Sequence, residues 1–274
     1  MEYLLTHDYT NNSVARAYEV MVDKYRETFP PETDEMFEPK TLDNAFIVLA
    51  KYAKRYQRDL EEYEVLYTEI AGNVTIREGR QMYFRMDSIL KDRKTGKIIS
   101  LEHKTGSHTW QWLEQWLLSI QFGTYTHVLM CLFPMETIDA VYVNGSFFSK
   151  GKKAWEELKV DGTTTMKTIP YDFIREPIKK SRDQMQVWIE TVNYYYTGIK
   201  AEMSMLDISN ESDEVLQAFP LNPTSCMDWG RICEYRDFCT AWRNPLRRVS
   251  DVPLGFQVSH WNPMEVEAKQ RFEL

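Results

Sequence analysis

The sequence predicts an α/β protein: a mixed central β-sheet flanked by helices, followed by an irregular cysteine-containing C-terminal segment. Three observations predict it. Helical apolar periodicity fills much of the first sixty residues. Three consecutive strand-patterned segments follow. Helix and strand patterns then alternate up to about residue 200. With 274 residues, 43% of them hydrophobic, the chain can bury a sizeable core.

Residues 12–28 read as a helix capped by Asn11, Asn12 or Ser13. "FPPETDEMFEPKT" is proline-rich and acidic, and reads as a loop. Over 42–62, Leu42, Ala45, Phe46, Leu49, Tyr52, Ala53 and Tyr56 share one helical face. "YEVLYTEIA", "RQMYFRMDSIL" and "GKIISLEHK" have strand patterns, and "DRKTG" is a turn joining the last two. "WQWLEQWLLSIQFGTY" reads as a helix with a core-facing stripe of Leu113, Trp116, Leu117 and Ile120. "THVLMCLFP" and "IDAVYVNG" read as strands, residues 171–200 as a long helix, and the chain beyond about 205 as irregular. The expected organisation is one domain over 1–274: a helical part (1–63), a core (64–200) and a cysteine segment (201–274). No internal repeat or low-complexity segment interrupts it.

The net charge of −8 disfavours a protein that coats nucleic acid. It is compatible with a nucleic-acid enzyme, which needs only a local basic groove beside acidic metal ligands. No apolar run approaches the roughly 20 residues that cross a bilayer. "MEYLLTHDYTNN" has no charged region followed by a long apolar stretch, so a cytoplasmic protein is expected.

The hairpin around "KDRKTGK" concentrates the chemistry. If its turn centres near Lys94–Thr95, Asp87 faces Glu102, with Cβ atoms about 5 Å apart. Alternation puts Ser100, Glu102 and Lys104 on one face and Ile99, Leu101 and His103 on the other. Phe84, Met86 and Leu90 oppose the Asp87 face. The hairpin is therefore expected to have one apolar side and one side with two acids and a lysine. Two carboxylates so close repel each other. A divalent cation between them relieves the repulsion, and hard oxygen ligands suit Mg²⁺ or Mn²⁺. A lysine beside it can stabilise negative charge developing on a phosphodiester or orient a water nucleophile. The hairpin alone is equally compatible with a solvent-facing cross-strand ion pair.

These residues resemble the PD-(D/E)XK nuclease superfamily, whose core is an acid on one strand and an E-x-K on the next. "RMD … LEHKTG" is similar to the "GRID … DYKTG" pattern of its RecB-type and CRISPR-adaptation-type exonuclease branch. Gln121 and Tyr125 resemble that branch's Q-x-x-x-Y motif; spaced i, i+4, they project from one helical face. Glu69 in "YTEIA" resembles its upstream strand glutamate. The resemblance covers roughly residues 40–135 well and the rest loosely. It implies a restriction-endonuclease-like core, with Asp87, Glu102 and the His103 carbonyl as metal ligands and Lys104 as the catalytic lysine. Gln121 and Tyr125 would contact the DNA backbone or brace the site. Glu69 would sit near the metal, or be an ordinary exposed strand residue. Two features depart from the pattern. Phe84 replaces the glycine before R-x-D, and the helix over 42–62 lacks the branch's histidine ligand, for which Asp43 or Glu35 are the candidate replacements. Of His7, His108, His127 and His260, His108 lies near the lysine strand and is the one to test.

"CMDWGRICEYRDFC" spaces Cys226, Cys233 and Cys239 as C-x6-C-x5-C. Such thiolates can hold Zn²⁺ or an iron–sulfur cluster. The segment resembles the C-terminal cysteine segment of iron–sulfur members of the same branch, where it pins that segment to the core. The remaining cysteine, Cys131, falls in "VLMCLF" and is expected to be a buried core residue. A cluster with a non-cysteine ligand, a three-cysteine zinc site and a metal-free remnant all stay open. For DNA contact the candidates are Lys179, Lys180 and Arg182, and Arg243, Arg247 and Arg248 around Trp242, with a solvated surface as the alternative. The expected function is a metal-dependent DNA exonuclease of phage or bacterial recombination or repair. It would act on single-stranded DNA or free ends, with a recombination or replication protein as partner. The alternative is a non-catalytic DNA-binding or complex-forming protein of the same fold.

Overall fold

The computed structural model describes residues 1–37, 39–106, 112–148, 155–158, 162–167, 173–208, 215–216, 218–227, 232–241, 243–244, 252, 254–260, 262 and 270–274. The chain divides into two compact units, Met1–Gln186 with Asn262–Leu274, and Val187–Trp261.

The first unit opens with three helices, α1 (Glu2–Thr6), α2 (Asn11–Thr28) and α3 (Leu42–Arg55), and a short α4 (Asp59–Glu62). The Thr10 hydroxyl caps α2 by accepting the Ser13 N–H, one residue ahead of the expected caps. Thr41 caps α3 in the same way through the Asn44 N–H. Pro31–Phe37, expected as loop, forms a 3-10 helix.

A meander follows: β1 (Tyr63–Arg77), β2 (Arg80–Asp92) and β3 (Ile98–Gly106). Then come α5 (Glu114–Leu117), α6 (Ile120–Leu132), β4 (Ile138–Phe147), a separate hairpin of β5 (Trp155–Leu158) and β6 (Thr164–Lys167), and β7 (Phe173–Ile178). The last strand is β8 (Gln270–Glu273). The sheet is mixed, with six strands in the order β7-β4-β3-β2-β1-β8. β3 runs parallel to β4 and β8 parallel to β1; the other pairs are antiparallel. The α/β class and the mixed sheet flanked by helices are as the sequence predicts.

The β2–β3 register is also the expected one: Ser88 pairs with Leu101, Ile89 with Ser100 and Leu90 with Ile99. Both faces of this hairpin are covered, however, so it has no open polar side near its turn. Met86, Ile89 and Ile98 pack with α6 residues Phe122, Tyr125, Val128 and Leu129. On the other face Leu90, Ile99 and Leu101 pack against Leu5 of α1.

Four further expectations are corrected. "THVLMCLFP" is the second half of α6, not a strand. A short run of apolar residues does not distinguish a strand from a buried helix, and the Ser119 hydroxyl starts the helix by accepting the Phe122 N–H. Cys131 consequently lies on the outer face of α6 and is exposed. The helix expected over 110–125 breaks at Leu118–Ser119, leaving Leu117 and Ile120 about 40% exposed while Trp112 takes the core position. The long helix expected from 171 is the strand β7 followed by α7 (Arg182–Ile208). Ser181 and Gln184 form a reciprocal capping box there, with Gln184 N–H on the Ser181 hydroxyl (3.2 Å) and Ser181 N–H on Gln184 Oε1 (2.8 Å). Pro177 is tolerated in β7 because β7 is an edge strand.

β8 lies in the C-terminal stretch read as irregular. It docks beside Gly72, where a Cβ would stand 2.2 Å from the Phe272 carbonyl oxygen, so only glycine admits this approach. In the second unit, the described residues after α7 form a 3-10 turn (Pro223–Ser225) and α8 (Arg236–Ala241). Among the described residues, no helix is long and apolar enough to cross a membrane.

Candidate active site

The site forms where β2 and β3 part. Their ladder ends at Ser88–Leu101, one step before Asp87 and Glu102. Instead of a ladder bond, Asp87 Oδ2 accepts the His103 backbone N–H at 2.7 Å. On β1, Glu69 adopts φ +46° between the pairs Thr68–Ser88 and Ile70–Met86, and so stands opposite Asp87. Left-handed backbone at a non-glycine residue is strained by on the order of 1–3 kcal/mol. Glu69 is held by Arg85 Nη2 at 2.8 Å. Its charge is among the causes that raise the Asp87 pKa, after burial.

Glu102 is 3% exposed. Its Oε1 accepts from Lys104 Nζ at 2.8 Å and from Gln121 Nε2 at 3.2 Å, and the Tyr125 hydroxyl oxygen lies 3.5 Å away. Gln121 also donates to the Tyr125 hydroxyl at 2.7 Å, and that hydroxyl donates to the Arg85 carbonyl. The i, i+4 pair on α6 thus sets its polar ends beside the carboxylate. Lys104 Nζ stands 5.7 Å from the centre of the Trp116 ring.

Glu102 Oε2 is buried with no hydrogen-bond partner among the described residues. Burial first and the Asp87 charge second push the Glu102 carboxyl up to about 7, against the pull of Lys104. A carboxyl oxygen without a partner beside a second carboxyl group is a donor set that suits a hard divalent cation once the protons are released. Among the described residues, no three His, Cys, Asp or Glu side chains are grouped to hold a metal. Asp87 and Glu102 would therefore share the ion with oxygens of other kinds, as Mg²⁺, which keeps several waters, ordinarily allows.

Asp87, Glu69 and His103 line a cleft of about 360 Å³ beside Tyr3 and Lys24. The proposed replacements for a helical histidine do not reach it. Asp43 and Glu35 are exposed, and α3 turns Val48, Leu49, Tyr52 and Ala53 inward. His108 lies outside the described residues.

Sequence reasoning missed the residues behind His103. Its ring meets Asn144, and Asn144 meets Tyr52 and Arg175. The available signal was an asparagine inside the apolar strand run "AVYVNGSF", because a buried amide requires partners.

None of the four cysteines forms a disulfide; Cys226 and Cys233 are half-buried and Cys239 is exposed on α8. The Cys233 N–H donates to the Cys226 carbonyl at 3.0 Å. The three thiols are not gathered into a metal-holding group among the described residues. Of the basic candidates, Lys179 pairs with Asp139 at 2.6 Å, Lys180 donates to the Leu117 carbonyl, and Arg182 is exposed at the start of α7. Arg243 is exposed in the second unit, and Trp242, Arg247 and Arg248 lie outside the described residues. No protein-family model matches the chain, and no curated protein matches it.

Proposed function

We propose that the chain is a Mg²⁺- or Mn²⁺-dependent deoxyribonuclease with the PD-(D/E)XK arrangement, acting as an exonuclease in recombination, repair or phage DNA processing. The observation that carries this reading is the state of Glu102. One oxygen is held by Lys104 and Gln121, and the other is buried and unsatisfied beside Asp87.

The Asp87 carboxylate, Glu102 Oε2 and the His103 carbonyl would hold the ion. Such an ion lowers the pKa of water and offsets charge on the scissile phosphate. The protein's own residues do the rest. The Lys104 side chain is 23% exposed at the end of β3, where it can donate to a phosphate oxygen or orient the attacking water. Gln121 and Tyr125 stop Glu102 from turning toward Lys104 alone. The His103 N–H fixes one oxygen of Asp87 and leaves the other available. The substrate would be DNA with free ends, single-stranded or double-stranded, in the cytoplasm of a bacterium or phage-infected cell. Lys180, Arg182, Arg243 and Arg247 are the candidate backbone contacts. A zinc ion or iron–sulfur cluster at Cys226, Cys233 and Cys239 would serve structure, not the reaction, and metal analysis of wild type against Cys233→Ser tests it.

The test is cleavage of end-labelled linear and circular DNA, in Mg²⁺, Mn²⁺ or EDTA, by wild type and Lys104→Ala. Metal-dependent release of nucleotides from linear DNA alone, lost in the variant, is the expected result. Metal-dependent cutting of circles would replace exonuclease by endonuclease. DNA binding without cleavage in either metal would favour the non-catalytic reading.

A further inference from the structure

The ring of His103 points away from Lys104, into a polar network that hydrolysis as described above leaves unused. Asn144 lies opposite His103 in the parallel β3–β4 ladder and is 0% exposed. Its Nδ2 donates to His103 Nδ1 at 2.9 Å and to the Tyr52 hydroxyl at 2.6 Å. Its Oδ1 accepts from Arg175 Nε at 3.2 Å. Arg175 forks onto Asp59 through two bonds of 2.8 Å each and donates to the Tyr52 hydroxyl at 3.1 Å. Its guanidinium also lies 3.8 Å from the centre of the Tyr56 ring. The Tyr9 hydroxyl closes the network on Asp59 Oδ2 at 3.2 Å.

The arginine orients the amide. With Oδ1 accepting from Arg175, both amide hydrogens face His103 and Tyr52. His103 Nδ1 is then an acceptor, which places the ring proton on Nε2, a buried nitrogen with no hydrogen-bond partner among the described residues. The network therefore sets both the position and the tautomer of the ring.

Stability alone is a poor reason for this design. A buried Asp–Arg pair loses in desolvation much of what it gains in attraction, and apolar side chains of similar volume do as well or better. What such a network supplies is one fixed geometry. The thing fixed here is the residue between Glu102 and Lys104, whose N–H holds Asp87.

We propose that Asn144 and Arg175, anchored by Asp59, are positioning residues for the metal-holding pair. They hold the His103 ring, and through it the peptide that sets Asp87 beside Glu102. This rests on the nuclease reading of those two acids. Partners of this kind typically change metal affinity or activity 10- to 100-fold when removed.

The test compares full-length wild type, Asn144→Leu and Arg175→Lys, with Val48→Ala as a core-destabilised control outside the network. Mn²⁺ affinity is measured by calorimetry, and cleavage over a range of Mn²⁺ concentrations, at a temperature where melting curves show each protein folded. The expected result is a Mn²⁺ Kd raised about 10- to 100-fold in both network variants, with the cleavage rate recovering in excess Mn²⁺ and the KM for DNA unchanged. Val48→Ala should keep the wild-type Kd. Arg175→Lys carries the test if Asn144→Leu does not fold. Network variants that match wild type in Kd and rate overturn the proposal, as does a Kd rise shared by Val48→Ala. A wild type that neither binds Mn²⁺ nor cleaves DNA overturns both this inference and the nuclease reading; unchanged variants of an active wild type overturn this inference alone.

Discussion

Lys104 Nζ lies 2.8 Å from Glu102 Oε1, two residues along the same face of β3. That pairing ties the lysine's chemistry to the carboxylate. Lys104→Ala removes a cation that offsets Glu102 and the donor nearest to it. The expected outcome is a loss of cleavage rate of roughly 10²- to 10³-fold, the scale of losing one donor to developing charge. The fold should be kept, because Glu102, whose carboxyl burial already raises to about 7, can take up a proton once its partner is gone. Lys104→Arg should not restore the rate, since a planar fork does not replace a point charge at this position. Single-turnover cleavage and circular dichroism of the three proteins check this, and full activity in Lys104→Ala would remove the lysine from the reaction.

The acids make the metal-free protein sensitive to pH. Burial, and then the Asp87 charge, raise the Glu102 carboxyl from 4.5 to about 7, and burial raises Asp87 too. Between these values the folded chain holds protons on these acids that the unfolded chain has released, so their contribution to stability falls as pH rises. His103 and the Met1 amine, both lowered by burial, contribute in the opposite direction and cancel from a comparison that changes Glu102 alone. Asp8, Asp34 and Asp92, whose pKa values are lowered, lose their contribution only below about 3.8 and stay out of this window. In EDTA, Glu102→Gln should gain on wild type by on the order of 1–3 kcal/mol between pH 5 and pH 8. Urea denaturation at a series of pH values measures the difference; a gap that does not widen with pH would show that Glu102 is ionised throughout.

Gly145 is opposite Lys104 in the β3–β4 ladder. A Cβ there would stand 2.6 Å from Trp112 Cη2 and 3.0 Å from the Phe147 ring. Trp112 in turn packs edge-on against Trp116, whose ring lies under Lys104. Gly145→Ala should destabilise the protein by about 1–3 kcal/mol through overpacking. It should also slow cleavage at temperatures where it remains folded. Chemical denaturation and cleavage at low temperature separate the two effects, and a variant as stable as wild type would mean that Trp112 moves aside freely.

The hairpin register was legible because its turn is written locally. Asp92 Oδ1 accepts the N–H groups of Lys94 at 2.9 Å and Thr95 at 2.6 Å, and Gly96 supplies a φ of +72°. A turn fixed in this way sets which residues face each other, and so brings Asp87 to Glu102. The pairing of Gln121 with Tyr125 was legible from helical spacing. The second half of α6 was not, because its outer face carries Met130 and Cys131 in place of polar residues, so the apolar run shows no periodicity to read. Nor was the network behind His103, since Arg175 and Asp59 lie 116 positions apart and meet only once β7 and α4 are placed. β8 gave no signal either: four residues pairing with the far edge of β1 depend on the sheet already being formed.

A divalent cation should stabilise this protein, and the pH at which it does so follows from the same acids. Oxygen ligands bind metal only when deprotonated. Asp87 and Glu102 hold their protons above the usual carboxylate range, so Mn²⁺ or Mg²⁺ should raise the melting temperature more at pH 8 than at pH 5.5. At a concentration 100 times Kd the gain is about 2.7 kcal/mol, or roughly 5–10 °C at 2–4 °C per kcal/mol for a chain of this size. Asp87→Asn and Glu102→Gln should lose this gain. Glu102→Gln should therefore melt above wild type in EDTA at pH 8, and the gap should narrow or reverse in saturating Mn²⁺. That exchange of order tests charge repulsion and metal binding in one experiment. A variant that stays ahead by the same margin with and without metal would show that the cation, if bound, is bound elsewhere.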